Sequence, residues 1–306
     1  MTSTSPFAGR AVLVTGASGF LGHHVLRRLA RAGAHAHAVS RREQTEDGEL
    51  ARWWQADLAD ADAVDHVMHS VRPDLVLHLA GHVSGNRALD QVIPSLHGNL
   101  LATVHLLAAA SRVGCRRLVF TGSMEEPGLG EADATPGSPY AAAKWAASGY
   151  ARMFHALYGL PTVVLRVFMT YGPAQKDLAK LVPYVTLALL RGESPRLGSG
   201  RRAVDWIFVE DVVAAIEAAC RAPDVEGASL DVGSGSLVTI RELVERLAAI
   251  VDPTVPLGFG ALDDRPLERP RTADVERTRA AIGWNPTTSL DAGLEKTVEW
   301  YRRAPQ

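Results

Sequence analysis

Near the start of this chain an apolar run meets a helical pattern across a glycine-punctuated junction. Ala11-Val12-Leu13-Val14 has the length and character of a buried strand, and it ends at Gly16. Leu21, Val25, Leu26 and Leu29 then recur at helical spacing through Ala32, and Gly33 stands where a helix C-terminal glycine belongs. A strand that turns directly into a helix begins a crossover that lays the next strand parallel to the first.

The alternation continues. Ala36–Val39, Leu75–Leu79, Leu118–Phe120 and Thr162–Leu165 read as further strands, and Asn99 to Val113 as a long helix. The expected class is α/β, a doubly wound parallel sheet with helices on both faces and ligands beyond the carboxyl ends of its strands. After Pro173 the pattern weakens. Helices are expected near 178–190, 212–220 and 239–251, a strand at Asp205–Val209, and a loop over the Gly, Ser, Pro and Arg-rich stretch 191–202. The expected division is a dinucleotide-binding domain over 1–173, with a returning segment at about 203–235, and a smaller C-terminal substrate-binding domain over 174–202 and 236–306.

Composition narrows the functions available. The 306 residues carry 32 basic and 34 acidic side chains, a net charge of −2 that gives no support for a nucleic-acid partner. Cys115 and Cys220 are too few for a disulfide framework and have no metal-ligand spacing around them, so no metal is expected. The N-terminal MTSTSPFAGR lacks a cationic region followed by an apolar core, and no apolar run has the roughly 18 residues that span a bilayer. A soluble cytoplasmic protein without a membrane partner is the expectation.

The segment Gly16-Ala17-Ser18-Gly19-Phe20-Leu21-Gly22 has the pattern G-x-x-G-x-x-G. Between a strand and a helix, the first glycine permits the tight exit, the second lets backbone approach a pyrophosphate, and the third lets helix pack on sheet. The following helix N-terminus offers amides and partial positive charge to the phosphates. The residue ending the second strand then selects the dinucleotide: an acid accepts from a ribose 2′-hydroxyl, and arginine suits a 2′-phosphate. Here the strand ends Ser40-Arg41-Arg42, with no acid before Glu43. Two guanidiniums beside a hydroxyl point to NADP(H), against the alternative of a solvated basic turn. Asp57, followed by Leu58, is either an acceptor for the adenine amino group or a helix N-cap.

Tyr140 and Lys144 stand four positions apart, on one face of a helix. A nearby cation lowers the pKa of a phenol, so the pair is expected to exchange a proton with a carbonyl or alcohol oxygen. Ser123, just after the Leu118–Phe120 run, is placed to bond the same oxygen. The alternative is an aromatic–cation pair on a helix surface.

With these motifs in chain order, the sequence resembles the extended short-chain dehydrogenase/reductase family, the group of sugar-nucleotide epimerases, dehydratases and reductases. The resemblance rests on Thr15 to Gly22, His78-Leu79-Ala80-Gly81, Asn99, Ser123, Tyr140 with Lys144, Leu165-Arg166, Tyr171-Gly172-Pro173, Asp205 to Val212, and Ile282 to Pro286. It implies a Rossmann core, a C-terminal substrate domain and a nucleotide-diphosphate sugar as ligand. It places Leu79, Ala80, Gly81 and Asn99 among the cofactor-binding residues. It also implies a homodimer packed through helices near 99–113 and 140–158.

Within that family, the 4,6-dehydratases carry Thr-Asp-Glu where this chain has Ser123-Met124-Glu125, and Met124 has no proton to give. The Gly-Ser-x-Glu-Glu pattern instead resembles reductases of nucleotide-linked 4-keto-6-deoxyhexoses, in which NADPH delivers hydride to C4 and Tyr140 would protonate the oxygen. Glu125 either contacts the sugar or is a solvated loop residue. Two family residues that contact the diphosphate are replaced, an asparagine by Met169 and an arginine by Val204. Arg201, Arg202 and Arg265 are candidates to take over, and Lys180 could also face an anion. The leading expectation is a 4-ketoreductase. The alternatives are an NAD(P)-dependent nucleotide-sugar epimerase, a non-catalytic NADP-binding protein, and a reductase of a non-sugar ketone.

Overall fold

The computed structural model describes residues 5–44, 50–128, 133–264 and 270–303. They form two compact units. The first runs to Val167 and takes in Val213–Asp231 and Glu276–Trp284; the second holds Phe168–Val212, Val232–Val275 and the chain from Asn285.

The first unit alternates strand and helix from its start: β1 (Ala11–Thr15), α1 (Phe20–Arg31), β2 (His35–Ser40), β3 (Arg52–Gln55), α2 (Ala61–Val71), β4 (Leu75–His78). A 3-10 turn over Leu89–Gln91 leads into α3 (Val92–Ser95), a π-helical stretch over Leu96–Leu101, and α4 (Ala102–Val113). Then follow β5 (Arg117–Ser123), α5 (Pro139–Tyr158) and β6 (Thr162–Val167). The second unit begins with β7 (Met169–Tyr171), α6 (Leu181–Leu190) and β8 (Ala203–Phe208). After α7 (Val209–Arg221), β9 (Ser229–Val232) joins the large sheet. The remaining elements are β10 (Leu237–Thr239), α8 (Ile240–Val251), α9 (Val275–Ile282) and α10 (Leu290–Arg303).

The large sheet has seven strands in the order β3-β2-β1-β4-β5-β6-β9, and the successive pairs from β3 to β6 are parallel. The order reverses between β1 and β4, where such sheets open a crevice at the strands' carboxyl ends. β4 and β5 are buried along their whole length, as expected of strands covered on both faces. One face carries a core of Val64, Met68, Leu106, Leu107, Leu118, Phe120 and Phe154. Local signals set the helix ends. Gly33 follows α1 with φ 69°, Asp60 caps α2 through the amides of Asp62 and Ala63, and Gly159 closes α5 in the left-handed region.

In the second unit, β10, β8 and β7 form a three-stranded sheet. The strand expected at Asp205–Val209 therefore pairs with β7 and β10; the segment that returns to the large sheet is β9. Asp205 is fully buried there and accepts from the amides of Ser234, Gly235 and Ala273 and from the Ser234 hydroxyl. Asp211 likewise accepts from Thr287 and Thr288.

Candidate active site at the carboxyl ends of the parallel strands

The glycine loop has the geometry its sequence requires. Gly16 adopts φ 68°, and a Cβ there would lie 2.6 Å from the Ala80 amide nitrogen, so the exits of β1 and β4 touch backbone to backbone. A Cβ on Gly22 would strike the Gly16 carbonyl oxygen and Ala17, so α1 sits directly on its own loop. Gly19 is exposed, and the nearest atom to a Cβ there is 3.2 Å away. No side chain caps α1 and no acid occupies its first turn, which leaves its amides to an anion. Ser18, Phe20 and Leu21 border this turn, half-buried. The cradle therefore fits a dinucleotide pyrophosphate.

Ser40 ends β2, and Arg41 and Arg42 are exposed beyond it. The Ser40 hydroxyl accepts from the Arg42 amide and the Gln44 side chain, which folds the turn that carries both arginines. Asp57 is exposed and accepts from Ala59; Asp60, three residues on, is the residue that caps α2. Leu58 is half-buried and packs against the core, and its carbonyl accepts from His105.

Under the crevice runs a closed line of hydrogen bonds that sequence reasoning missed. Thr103 Oγ1 donates to the Asn99 carbonyl at 2.5 Å, so it accepts from His78 Nε2 at 2.9 Å. His78 Nδ1 then accepts from Thr15 Oγ1 at 2.6 Å, and Thr15 Oγ1 accepts in turn from the Ala80 amide. His78 is thus the neutral Nε2–H tautomer, assigned by its partners. Burial and then Lys144 lower its pKa to about 3. The line joins β1, β4 and the π-helical stretch. At its end Asn99, fully buried, gives its side-chain amide to the carbonyls of His82 and Ser95 and takes the His82 amide on Oδ1. Asn99 therefore holds the loop after Leu79-Ala80-Gly81. Gly81 has no room for a side chain, because a Cβ would lie 2.8 Å from Asn99 Oδ1 and 3.3 Å from Lys144 Nζ.

Ser123 ends β5, and its hydroxyl lies near enough to the Tyr140 phenol to favour the phenolate. Ser138 caps α5 and Pro139 follows it, so Tyr140 stands in the helix's first turn, at its positive end. Lys144 is 2% exposed, which removes the surface-pair alternative. The relation between the pair differs from the sequence expectation. Lys144 Nζ donates to the Thr121 carbonyl at 2.9 Å and lies over the Phe120 ring at 4.8 Å. The phenol is pushed up, first by loss of hydration around its hydroxyl and then by Glu125 and Glu126; only the Ser123 hydroxyl lowers it. Lys144 itself is lowered to about 8 by burial, against the pull of Glu126. The groups that favour a phenolate are thus Ser123 and the helix terminus.

Glu125 is exposed but anchored, accepting from the Ser138 hydroxyl at 3.0 Å while its amide donates to Ser123 Oγ. Glu126, the last acid of the Gly-Ser-x-Glu-Glu pattern and assigned no role from it, is 4% exposed and accepts from the Ser123 amide at 2.7 Å. Both thiols are free, and burial pushes Cys115 to about 11 and Cys220 to about 12, so they stay protonated.

The remaining candidates lie in the second unit. Met169 begins β7 opposite Trp206, and Val204 is buried within β8. Arg201 is exposed and Arg202 half-buried at the approach to β8. Lys180 precedes α6 and pairs with Asp177 at 3.8 Å. Arg265 lies outside the described residues. Among the described residues no cluster of three or more His, Cys, Asp or Glu could hold a metal ion.

The model of the NAD-dependent epimerase/dehydratase family matches residues 12–233. The chain is 31% identical over 320 residues to a UDP-glucose 4-epimerase of Mycolicibacterium smegmatis, covering 96% of this chain and 99% of that protein. It is 30% identical to a dTDP-glucose 4,6-dehydratase of Neisseria meningitidis, over 95% of this chain and 93% of the relative. Among solved structures, MoeE5 in complex with UDP-glucose and NAD is similar, with TM-score 0.83, 31% identity and coverage of 95% and 98%. The UDP-glucose 4-epimerase of Thermotoga maritima with UDP-glucose superposes with TM-score 0.87 at 26% identity, covering 95% of this chain and 98% of that one.

Proposed function

The chain belongs to the NAD-dependent epimerase/dehydratase family, and from that premise we propose that it epimerises a nucleotide-diphosphate sugar by transient oxidation at a ring carbon, C4 in the first instance. The observation behind this is that Ser123 at the end of β5, Tyr140 and buried Lys144 gather at the same strand ends as the glycine cradle. When bound, the nicotinamide supplies the hydride acceptor and donor. Tyr140, as its phenolate, takes the hydroxyl proton as the C–H bond breaks and the carbonyl forms, while Ser123 donates to the same oxygen. Tyr140 would give the proton back to the same oxygen, and with hydride supplied to the opposite face of the ring the product would be the epimer. Met124, in place of the aspartate, removes the proton donor that loss of water would need, although Glu125 is kept.

The comparisons favour this reading over the 4-ketoreductase expected from the sequence, since an epimerase stands among the relatives and the similar complexes carry UDP-sugars. One observation supports the reductase as a second reading: Ser40, Arg41 and Arg42 present two exposed guanidiniums and a hydroxyl where a 2′-phosphate would sit. On that ground the dinucleotide is proposed to be NADP(H).

A second copy of the chain is the proposed partner. α3, α4, α5 and the π-helical stretch pack side by side. The 3-10 turn, α3 and the π-helical stretch expose Leu89, Val92, Ile93 and Leu96, and α5 exposes Tyr150, Leu157 and Tyr158. By length and composition the run Leu89–Val113 could cross a membrane, but α4 is core, with Leu106, Leu107, Ala109 and Ala110 buried.

The test is to release and identify any dinucleotide from the purified protein, then offer nucleotide-linked hexoses without added cofactor. Interconversion of epimers is expected. Net oxidation of added NADPH by 4-keto-6-deoxysugars, without interconversion, would replace this reading by the reductase.

A further inference from the structure

A carboxylate buried within an active site is costly unless something is built to receive it. Glu126 has such a receptacle. Gly122 on β5 lacks the side chain that would exclude it, since a Cβ there would lie 2.5 Å from Glu126 Oε1. The same space is walled by Val164 and Arg166 of β6, at 3.1 and 3.3 Å from that position. Oε1 accepts from the Ser123 amide at 2.7 Å. From α5, Lys144, Tyr140 and Ser148 face the carboxylate; from β6, Arg166 faces it and is itself paired with Asp231 of β9 at 2.6 Å. Glu125 is the neighbouring acid on its own loop. A row of alternating charge, Lys144, Glu126, Arg166, Asp231, thus crosses the end of the sheet, all four side chains buried.

We propose that Glu126 is a positioning residue of this site: its carboxylate fixes Ser123 through the Ser123 amide and serves as the counter-charge of Lys144. The proposal rests on the reading of Ser123, Tyr140 and Lys144 as the reaction centre. Gly122 belongs to the same device, as the position whose missing side chain admits the carboxylate. Burial pushes Glu126 up, while the Ser123 amide, Lys144 and Arg166 hold it down, so neighbouring groups sustain its charge. Burial lowers Lys144 to about 8 even with that negative charge facing it, so removing the charge lowers it further.

The experiment follows the ionisation of Lys144 directly. The chain has four lysines, at 144, 176, 180 and 296, so an NMR titration of isotopically labelled lysine Cε resolves each one. Glu126→Gln keeps an oxygen acceptor for the Ser123 amide and removes the charge. It is expected to move the Lys144 midpoint down by about one pH unit and leave Lys176, Lys180 and Lys296 in place. An unchanged Lys144 midpoint in the folded variant overturns the proposal. If Glu126→Gln does not fold, Gly122→Ala decides, since a methyl group there displaces the carboxylate while keeping its charge in the chain. The same downward shift is expected, and none overturns the proposal. Glu126→Leu, which also frees the Ser123 amide, is expected to lower kcat about tenfold to a hundredfold with sugar KM little changed, and Glu126→Gln to recover most of that loss. Failure to turn over any nucleotide sugar would sink the functional reading and leave the lysine titration to judge this one.

Discussion

The Lys144 ammonium donates to the carbonyl oxygen of Thr121 at 2.9 Å, two residues before Ser123 on the same strand. The bond ties α5 to β5 at the reaction centre. It fixes the cation relative to Ser123.

Lys144→Met is expected to lower kcat about a hundredfold or more, with the fold retained by circular dichroism. In the native protein the ammonium loses its proton as pH rises through about 8, so the rate should fall on that side. Lys144→Arg should move that basic limb upward, and a limb that stays in place would assign it to another group.

His78 has a folded pKa far below its ordinary 6.5, at about 3. Between those values the unfolded chain takes up a proton that the folded one refuses, so stability should fall as pH drops from about 6.5 towards 3. Urea midpoints across that window measure the slope. His78→Gln, which keeps a donor and an acceptor, should flatten it. An equal slope in the variant would acquit His78 of the effect.

Gly22→Ala is expected to destabilise the fold by about 1–3 kcal/mol, because its methyl group would meet backbone at Gly16 and Ala17. Gly19→Ala should be milder, with its nearest neighbour at 3.2 Å, and should weaken dinucleotide binding instead. Thermal melts beside dinucleotide titrations separate the two. The reverse pattern would place the pyrophosphate elsewhere.

Exchange of Arg41 and Arg42 for alanine should raise the KM or Kd for the 2′-phosphorylated dinucleotide by tenfold or more, about 1.4 kcal/mol or above, and leave the unphosphorylated form nearly unaffected. Equal losses for both would count against a 2′-phosphate site.

Ile93→Glu with Leu157→Glu puts two charges into the apolar surface of α3 and α5. Sedimentation should show a dimer in the native chain and a monomer in the variant, with Ser123, Tyr140 and Lys144 untouched. A native chain that sediments as a monomer would remove the second copy.

Much of this was legible in the chain. β1, α1, β4 and β5 show through because buried strands and amphipathic helices impose local periods, and Tyr140 and Lys144 share a helix face because their spacing dictates it. What local spacing cannot convey is where a flexible side chain ends. Lys144 was expected at the phenol and reaches Thr121. Asp57 and Asp60 are both acids near a helix start, yet only Asp60 has its carboxylate at the free amides of α2. The helix expected to begin at Asn99 starts earlier because Pro94 falls in the first turn of α3, where proline is tolerated. Glu126 enters the sequence only as the last acid of the Gly-Ser-x-Glu-Glu pattern, without a role of its own; Gly122, four positions before it, has meaning only once β6 is known to pass beside it. The line from Thr15 through His78 to Thr103 joins residues 88 positions apart, which no window of sequence spans.

The buried carboxylate of Asp205 gathers the amides of Ser234, Gly235 and Ala273 onto one side chain. None of the three can meet solvent through this contact without the carboxylate letting go of it. In deuterium exchange they should open as one cooperative unit, at a shared rate, although almost forty residues separate the first from the last. Asp205→Asn, which keeps the shape and gives up the charge, should speed all three together.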